Sequence, residues 1–244
     1  MPWTGQFFKK FIIAMSQRPE VSFLRKVLSI IWKDALTEWR TREMSSAMAV
    51  FALLIILIFN FAFELRVDSA RQVAPGVLWV AITFAGMLGL SRSFILEKDK
   101  GSLEGLLLAP VDRSAIYFGK MLSNVLFMLA VEVVILPIFT ILFNLSPGAL
   151  PGLVGVMVLG TIGFAGIGTL FSAMAIHTRA REVMLPVLLF PVFVPAMLAA
   201  VKATAGLLDS RPLAEFANWL NLLVVFDVVL IAVAFMTFDY VVEE

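Results

Sequence analysis

Six runs of about twenty apolar residues dominate this chain and leave it few ways to fold. Crossing roughly 30 Å of hydrocarbon takes about 20 such residues in a helix. Inside the bilayer a chain must also satisfy its own backbone, which a helix does within one segment. The runs cover approximately residues 44–63, 75–96, 116–143, 150–176, 183–201 and 219–241. The expected fold class is therefore an all-α integral membrane protein with six transmembrane helices. Composition agrees: 61% of the 244 residues are hydrophobic and 15% are charged, too few charges to cover a soluble domain of this size. A net charge of +1 gives no reason to expect nucleic acid, and the absence of cysteine excludes disulfides, thiolate metal sites and a cysteine nucleophile.

The apolar core of "FFKKFIIAM" is too short for a secretory signal, and no small-residue cleavage site follows. Residues 1–43 are thus expected to stay as a cytoplasmic extension, and 44–244 to form the six-helix domain. Orientation follows from Lys and Arg. Fifteen of the nineteen fall before the first run, in or beside the connection of the second and third, or between the fourth and fifth. Only Arg66, Arg71, Lys202 and Arg211 lie on the other side. The bias places both termini in the cytoplasm.

Residues 22–40, "SFLRKVLSIIWKDALTEWR", put Phe23, Val27, Ile30, Ile31, Leu36 and Trp39 near one helical face, with Arg25, Lys26, Lys33 and Arg40 largely opposite. That pattern suits an N-terminal amphipathic interfacial helix in the headgroup layer. A cytoplasmic helix packed on protein is the alternative. In the fourth run, Gly160, Gly163, Gly166 and Gly168 allow close helix approach. In the fifth, Pro186, Pro191 and Pro195 are expected to bend or break the helix.

Catalysis has little to stand on. His177 is the single histidine, at a helix end without partners in sequence, and no Gly-x-x-x-x-Gly-Lys-Ser/Thr run is present. Glu132 in "LAVEVVILP" and Asp227 in "LVVFDVVLI" are acids inside apolar runs. A carboxyl there costs several kcal/mol unless paired, protonated or wetted, which makes both candidate intramembrane functional residues. A hydrogen bond to a neighbouring helix is the structural alternative for each.

The charged connection "LEKDKGSLEGLLLAPVDR" (96–113) places Leu103, Leu106 and Leu107 at i, i+3 and i+4, one side of a short helix. Asp99 or Ser102 can cap its start, Glu104 suits its positive end, and Pro110 stops it. Gly105 within it is unfavourable by about 1 kcal/mol relative to alanine. A solvated loop explains the charges but not the leucine face, whereas a partner groove explains both.

Residues 97–110, with "GSLEGLLLAP", resemble the coupling segment of ABC-2 type permeases. Together with "APGVLWVAITFAGMLGLSRSF", "LFPVFVP" and the terminal "FDYVVEE" they resemble the haem exporter protein B (CcmB) family over roughly residues 22–244. The first twenty or so residues look like an extension beyond that family's usual start. The resemblance implies an ABC-2 type permease fold with a cytoplasmic coupling helix between the second and third spans. It implies a bacterial inner-membrane, non-catalytic subunit with ATP bound by a separate CcmA-like ATPase. CcmC-like and CcmD-like membrane subunits and a CcmE-like haem chaperone would be further partners, and a homodimer would match an ATPase dimer.

In that reading Glu97, Asp99, Lys100, Gly101, Ser102, Leu103, Glu104, Leu106, Leu107 and Pro110 form the ATPase-coupling segment. The three leucines enter a groove, and Glu97, Asp99, Lys100 and Glu104 set the register. Haem would be carried by the chaperone. With its one histidine on the cytoplasmic side and no Trp-Trp-Asp-like external motif, the chain is expected to bind no haem tightly itself. An ABC-2 exporter of lipid, glycan or drug would share the coupling loop. In a non-ABC scaffold or channel that loop would merely be solvated.

Overall fold

Each apolar run becomes one long helix, and the helices of the second, fifth and sixth runs extend several residues beyond them. The computed structural model describes residues 22–63, 67–99, 112–175, 178 and 181–243. Its helices are α1 (Phe23–Thr41), α2 (Glu43–Phe63), α3 (Val67–Asp99), α4 (Arg113–Leu142), α5 (Leu150–Ala175), α6 (Arg181–Leu208) and α7 (Leu213–Glu243). A 3₁₀ turn at Pro147–Ala149 leads into α5. α2 to α7 each contain a stretch long and apolar enough to cross a membrane, so the chain is a multi-pass membrane protein.

Two sequence expectations change. The second run was expected to begin at Pro75, but α3 starts at Val67 and carries Pro75 within it. Of the bend or break expected at Pro186, Pro191 and Pro195, a break does not occur, since α6 runs from Arg181 to Leu208 through all three. A broken helix in hydrocarbon would expose more unpaired backbone than the prolines free. α3, α5 and α7 all pack along α6 and hold it.

Helices α3 and α5 form the centre: 72% of the apolar window of each is buried, against 22–33% for the other four spans. α2 lies on α3 and α4; α6 and α7 lie on α5 and on each other. The expected close approach of α5 is borne out. A Cβ on Gly160 would strike the buried Trp79 ring, one on Gly166 would sit 2.8 Å from Ile231 Cγ1, and one on Gly168 would strike Leu90. Polar cross-links tie the centre: Trp79 Nε1 donates to Thr204 Oγ1 (3.0 Å), Tyr117 to the Gly166 carbonyl (3.1 Å) and Ser172 to the Leu90 carbonyl (2.6 Å).

α1 and α2 meet at Arg42, whose φ of 53° is left-handed and whose N–H returns to the Glu38 carbonyl at 2.7 Å. The Glu38 carboxylate then accepts from the Ser45 N–H at 2.7 Å, satisfying one of the open donors at the start of α2.

Candidate functional site

The helix that leaves the 100–111 connection is α4, and α1 is fastened to its first turns. Gly119 is the notch: a Cβ there would lie 2.8 Å from Ile30, so only glycine lets α1 approach this closely. Val27 and Ile30 are buried in the seam. Lys26 Nζ lies 2.9 Å from Asp112 at the N-cap position of α4, and Lys120 Nζ lies 3.0 Å from Asp34. Lys33 adds a 3.3 Å contact to the other Asp34 oxygen. The Lys120 side chain is only 2% exposed, so this pair is a buried one whose members depend on each other. The hydrogen bond and charge of Lys26 hold the exposed Asp112 carboxyl below the ordinary aspartate range. Arg113 donates to the Asp239 carbonyl on α7 at 3.3 Å.

α1 departs from the single apolar face read in the sequence. Val27 and Ile30 turn inward, whereas Leu36 and Trp39 are exposed alongside Leu24, Leu28 and Trp32. The helix carries two apolar arcs, one on α4 and one open, with Ser29, Lys33 and Arg40 on a third, polar arc. Packing on protein and a free apolar face therefore coexist. The Arg42 guanidinium lies 5.5 Å from the Trp39 ring centroid.

Of the proposed coupling residues, Glu97 and Asp99 fall in the last turn of α3, which runs unbroken to Asp99. Asp99 is the last residue of that helix, and the segment it is expected to cap lies outside the described residues. Lys100, Gly101, Ser102, Leu103, Glu104, Leu106, Leu107 and Pro110 lie outside the described residues, as does His177.

Both intramembrane acids are 5% exposed and turn toward α5 from different helices. Glu132 on α4 accepts a hydrogen bond from the Thr161 hydroxyl. Two turns earlier on α4, Asn124 Nδ2 donates to Thr169 Oγ1 at 3.0 Å. Asp227 on α7 packs against Gly163, where any Cβ would overlap its carboxyl group. Neither Asp227 oxygen has a hydrogen-bond partner among the described residues. The structural alternative thus fits Glu132, and Asp227 lacks it.

Sequence reading missed the Asp34–Lys120 pair, because Lys120 sits close to the charged connection and passes for a loop cation. The available signal was spacing: Lys120, Asn124 and Glu132 recur at four and eight residues in an otherwise apolar helix.

The family model for CcmB protein matches residues 25–243, from α1 to the end of α7. Among curated relatives, heme exporter protein B of Pseudomonas aeruginosa is 25% identical over 181 residues, 74% of this chain and 81% of the relative. Heme exporter protein B of Rhodobacter capsulatus is 28% identical over 172 residues, 69% of this chain and 79% of the relative. The protein of the same name from Paracoccus denitrificans is 28% identical over 153 residues, 63% and 70% of the two chains.

Proposed function

The chain belongs to the CcmB protein family, and on that premise we propose that it is the membrane permease subunit of an ABC complex acting in haem delivery for cytochrome c maturation. The observation that carries this reading is the family match over residues 25–243, which takes in every described helix. A separate CcmA-like ATPase binds the 97–110 segment, with Leu103, Leu106 and Leu107 in its groove. CcmC-like and CcmD-like subunits complete the complex, and ATP hydrolysis releases a CcmE-like haem chaperone on the outer face. The subunit lies in the bacterial inner membrane with both termini in the cytoplasm, and a second copy fills the other groove of the ATPase dimer. Haem stays with the chaperone and is not bound tightly by this chain.

The geometry supports a mechanical role. α3 and α4 enter and leave the connection directly, and α4 is tied to α1 by two ion pairs. A push on the connection would move α4 and α1 together as one lever. Buried α3 would carry the same push into the centre of the bundle.

The test is complementation. In cells lacking their own copy, this chain should restore covalent haem on c-type cytochromes, and Leu107→Asp should not, at equal membrane abundance. Failure of the unaltered chain alongside its own ATPase, or full rescue by Leu107→Asp, would overturn the reading. The purified chain should show no stoichiometric Soret band; such a band, lost in His177→Ala, would refute the statement about haem.

A further inference from the structure

One face of α4 carries more polarity than its packing needs. Lys120, Asn124, Met128 and Glu132 follow each other at four-residue steps, a slowly turning stripe that rises about 18 Å through the bundle. All four are buried. Two hollows lie along this stripe, between α4, α2 and α3. The upper has a volume of about 10 Å³, close to that of one water, and Glu132, Met128, Met48 and Gly86 line it. The lower has no room for a water and is lined by Asn124, Met44, Met48, Gly89 and Met128. Met48 and Met128 border both hollows.

Glu132 lines the upper hollow and Asn124 the lower. Asn124 Oδ1 is buried without a hydrogen-bond partner among the described residues. Thr161 occupies Oε1 of Glu132, and the other oxygen receives no hydrogen bond from described residues. A carboxyl beside a water-sized cavity in hydrocarbon has a use for that cavity, because an unsolvated charge there is costly.

We propose that Glu132 is a proton-binding site in the membrane core, reached from the α1 side along α4, with Met128 as the plug between it and Asn124. The partly exposed Asp34, 3.0 Å from Lys120 Nζ, is where water would enter the path. A hydronium reaching the upper cavity gives its proton to the free Glu132 oxygen, leaving one neutral carboxylic acid and one water; release is the reverse. Thr161 donates to the other oxygen in both states, so the proton has one seat. Glu132 is the one titratable group lining the cavity. α2 offers it Met48, α3 offers Ile82, Ala85 and Gly86, and α5 offers Thr161. Asp227 reaches α5 from α7, at Gly163.

Met128 suits a plug. Its unbranched thioether has three rotatable bonds and rearranges at low cost. Its Cε lies 2.5 Å from where a Gly86 Cβ would stand, so the glycine makes the seat that the side chain fills. A rotamer change or a short slide of α4 joins the hollows. The inference does not depend on which partner moves α4.

The test uses the full chain in liposomes and follows the carboxylic-acid C=O band by infrared spectroscopy. A band that titrates with pH and vanishes in Glu132→Gln supports the site, and its absence overturns it. After a pH jump, Met128→Ala should speed the change of that band several-fold over the unaltered chain, and equal rates overturn the plug. The titration of the unaltered chain keeps the site testable if Met128→Ala does not fold.

Discussion

Two glycines of α5, five residues apart, should respond oppositely to the same added methyl. Gly155 has open space around a built Cβ, whereas at Gly160 that Cβ strikes the Trp79 ring, 2.6 Å from Cζ3 and 3.2 Å from Cζ2. Trp79 cannot swing aside freely, being fully buried with its Nε1 bonded to Thr204 at 3.0 Å. Overpacking of this kind costs about 1–3 kcal/mol, and losing an interhelical hydrogen bond in a membrane costs about 0.6 kcal/mol. The helix-propensity gain of glycine to alanine is common to both sites and cancels between them. Gly160→Ala should therefore be less stable than Gly155→Ala by about 1.5–3.5 kcal/mol. Reversible unfolding in mixed micelles, followed by helical circular dichroism and by Trp fluorescence, measures the difference. Variants agreeing within about 0.5 kcal/mol would refute the placement of Trp79 against α5 and with it the central packing of the bundle.

Lys120→Met should destabilise the chain, by less than the roughly 3–5 kcal/mol of a wholly stranded buried charge because Lys33 still contacts Asp34, and Lys120→Met/Asp34→Leu should recover much of that loss in the same unfolding assay. In a variant that keeps Trp32 as its single tryptophan, brominated lipids should quench the fluorescence more than aqueous acrylamide does, because Trp32 belongs to the open apolar arc. The reverse order would show that arc to face water or protein. The Lys26–Asp112 contact should loosen in acid. Its carboxyl is held below the ordinary value of 3.8, so the stabilisation is complete above that pH and is lost as pH falls through the lower, folded value. Spin labels on α1 and α4 should separate in that window, and Asp112→Asn should abolish the pH response.

The spans were legible because hydrocarbon thickness enforces long apolar runs; their true ends were not. The extra turns 67–74 of α3 and 202–208 of α6 lie beyond the apolar runs that mark the spans. Glycines 160 to 168 announced close packing by composition alone, but only the fold shows that Gly163 faces the acid of α7. The helical nature of α1 was legible, yet its two apolar arcs merge in a helical projection until α4 covers one of them. Both α2 and α3 lie between Asp34 and Lys120 in the chain, so no local spacing could pair them. Glu132 stood out as an isolated charge in hydrocarbon, and its bond to Thr161 is a tertiary fact.

The central claim is that energy enters this chain through the connection between α3 and α4. Its most direct measurement is co-purification of the chain with its ATPase from detergent-solubilised membranes, combined with ATPase rates, for the unaltered chain and for Leu107→Asp. The account predicts a stable complex with stimulated hydrolysis for the former, and loss of both for the latter at unchanged membrane insertion. A Leu107→Asp chain that retains the ATPase and its full stimulation would contradict it.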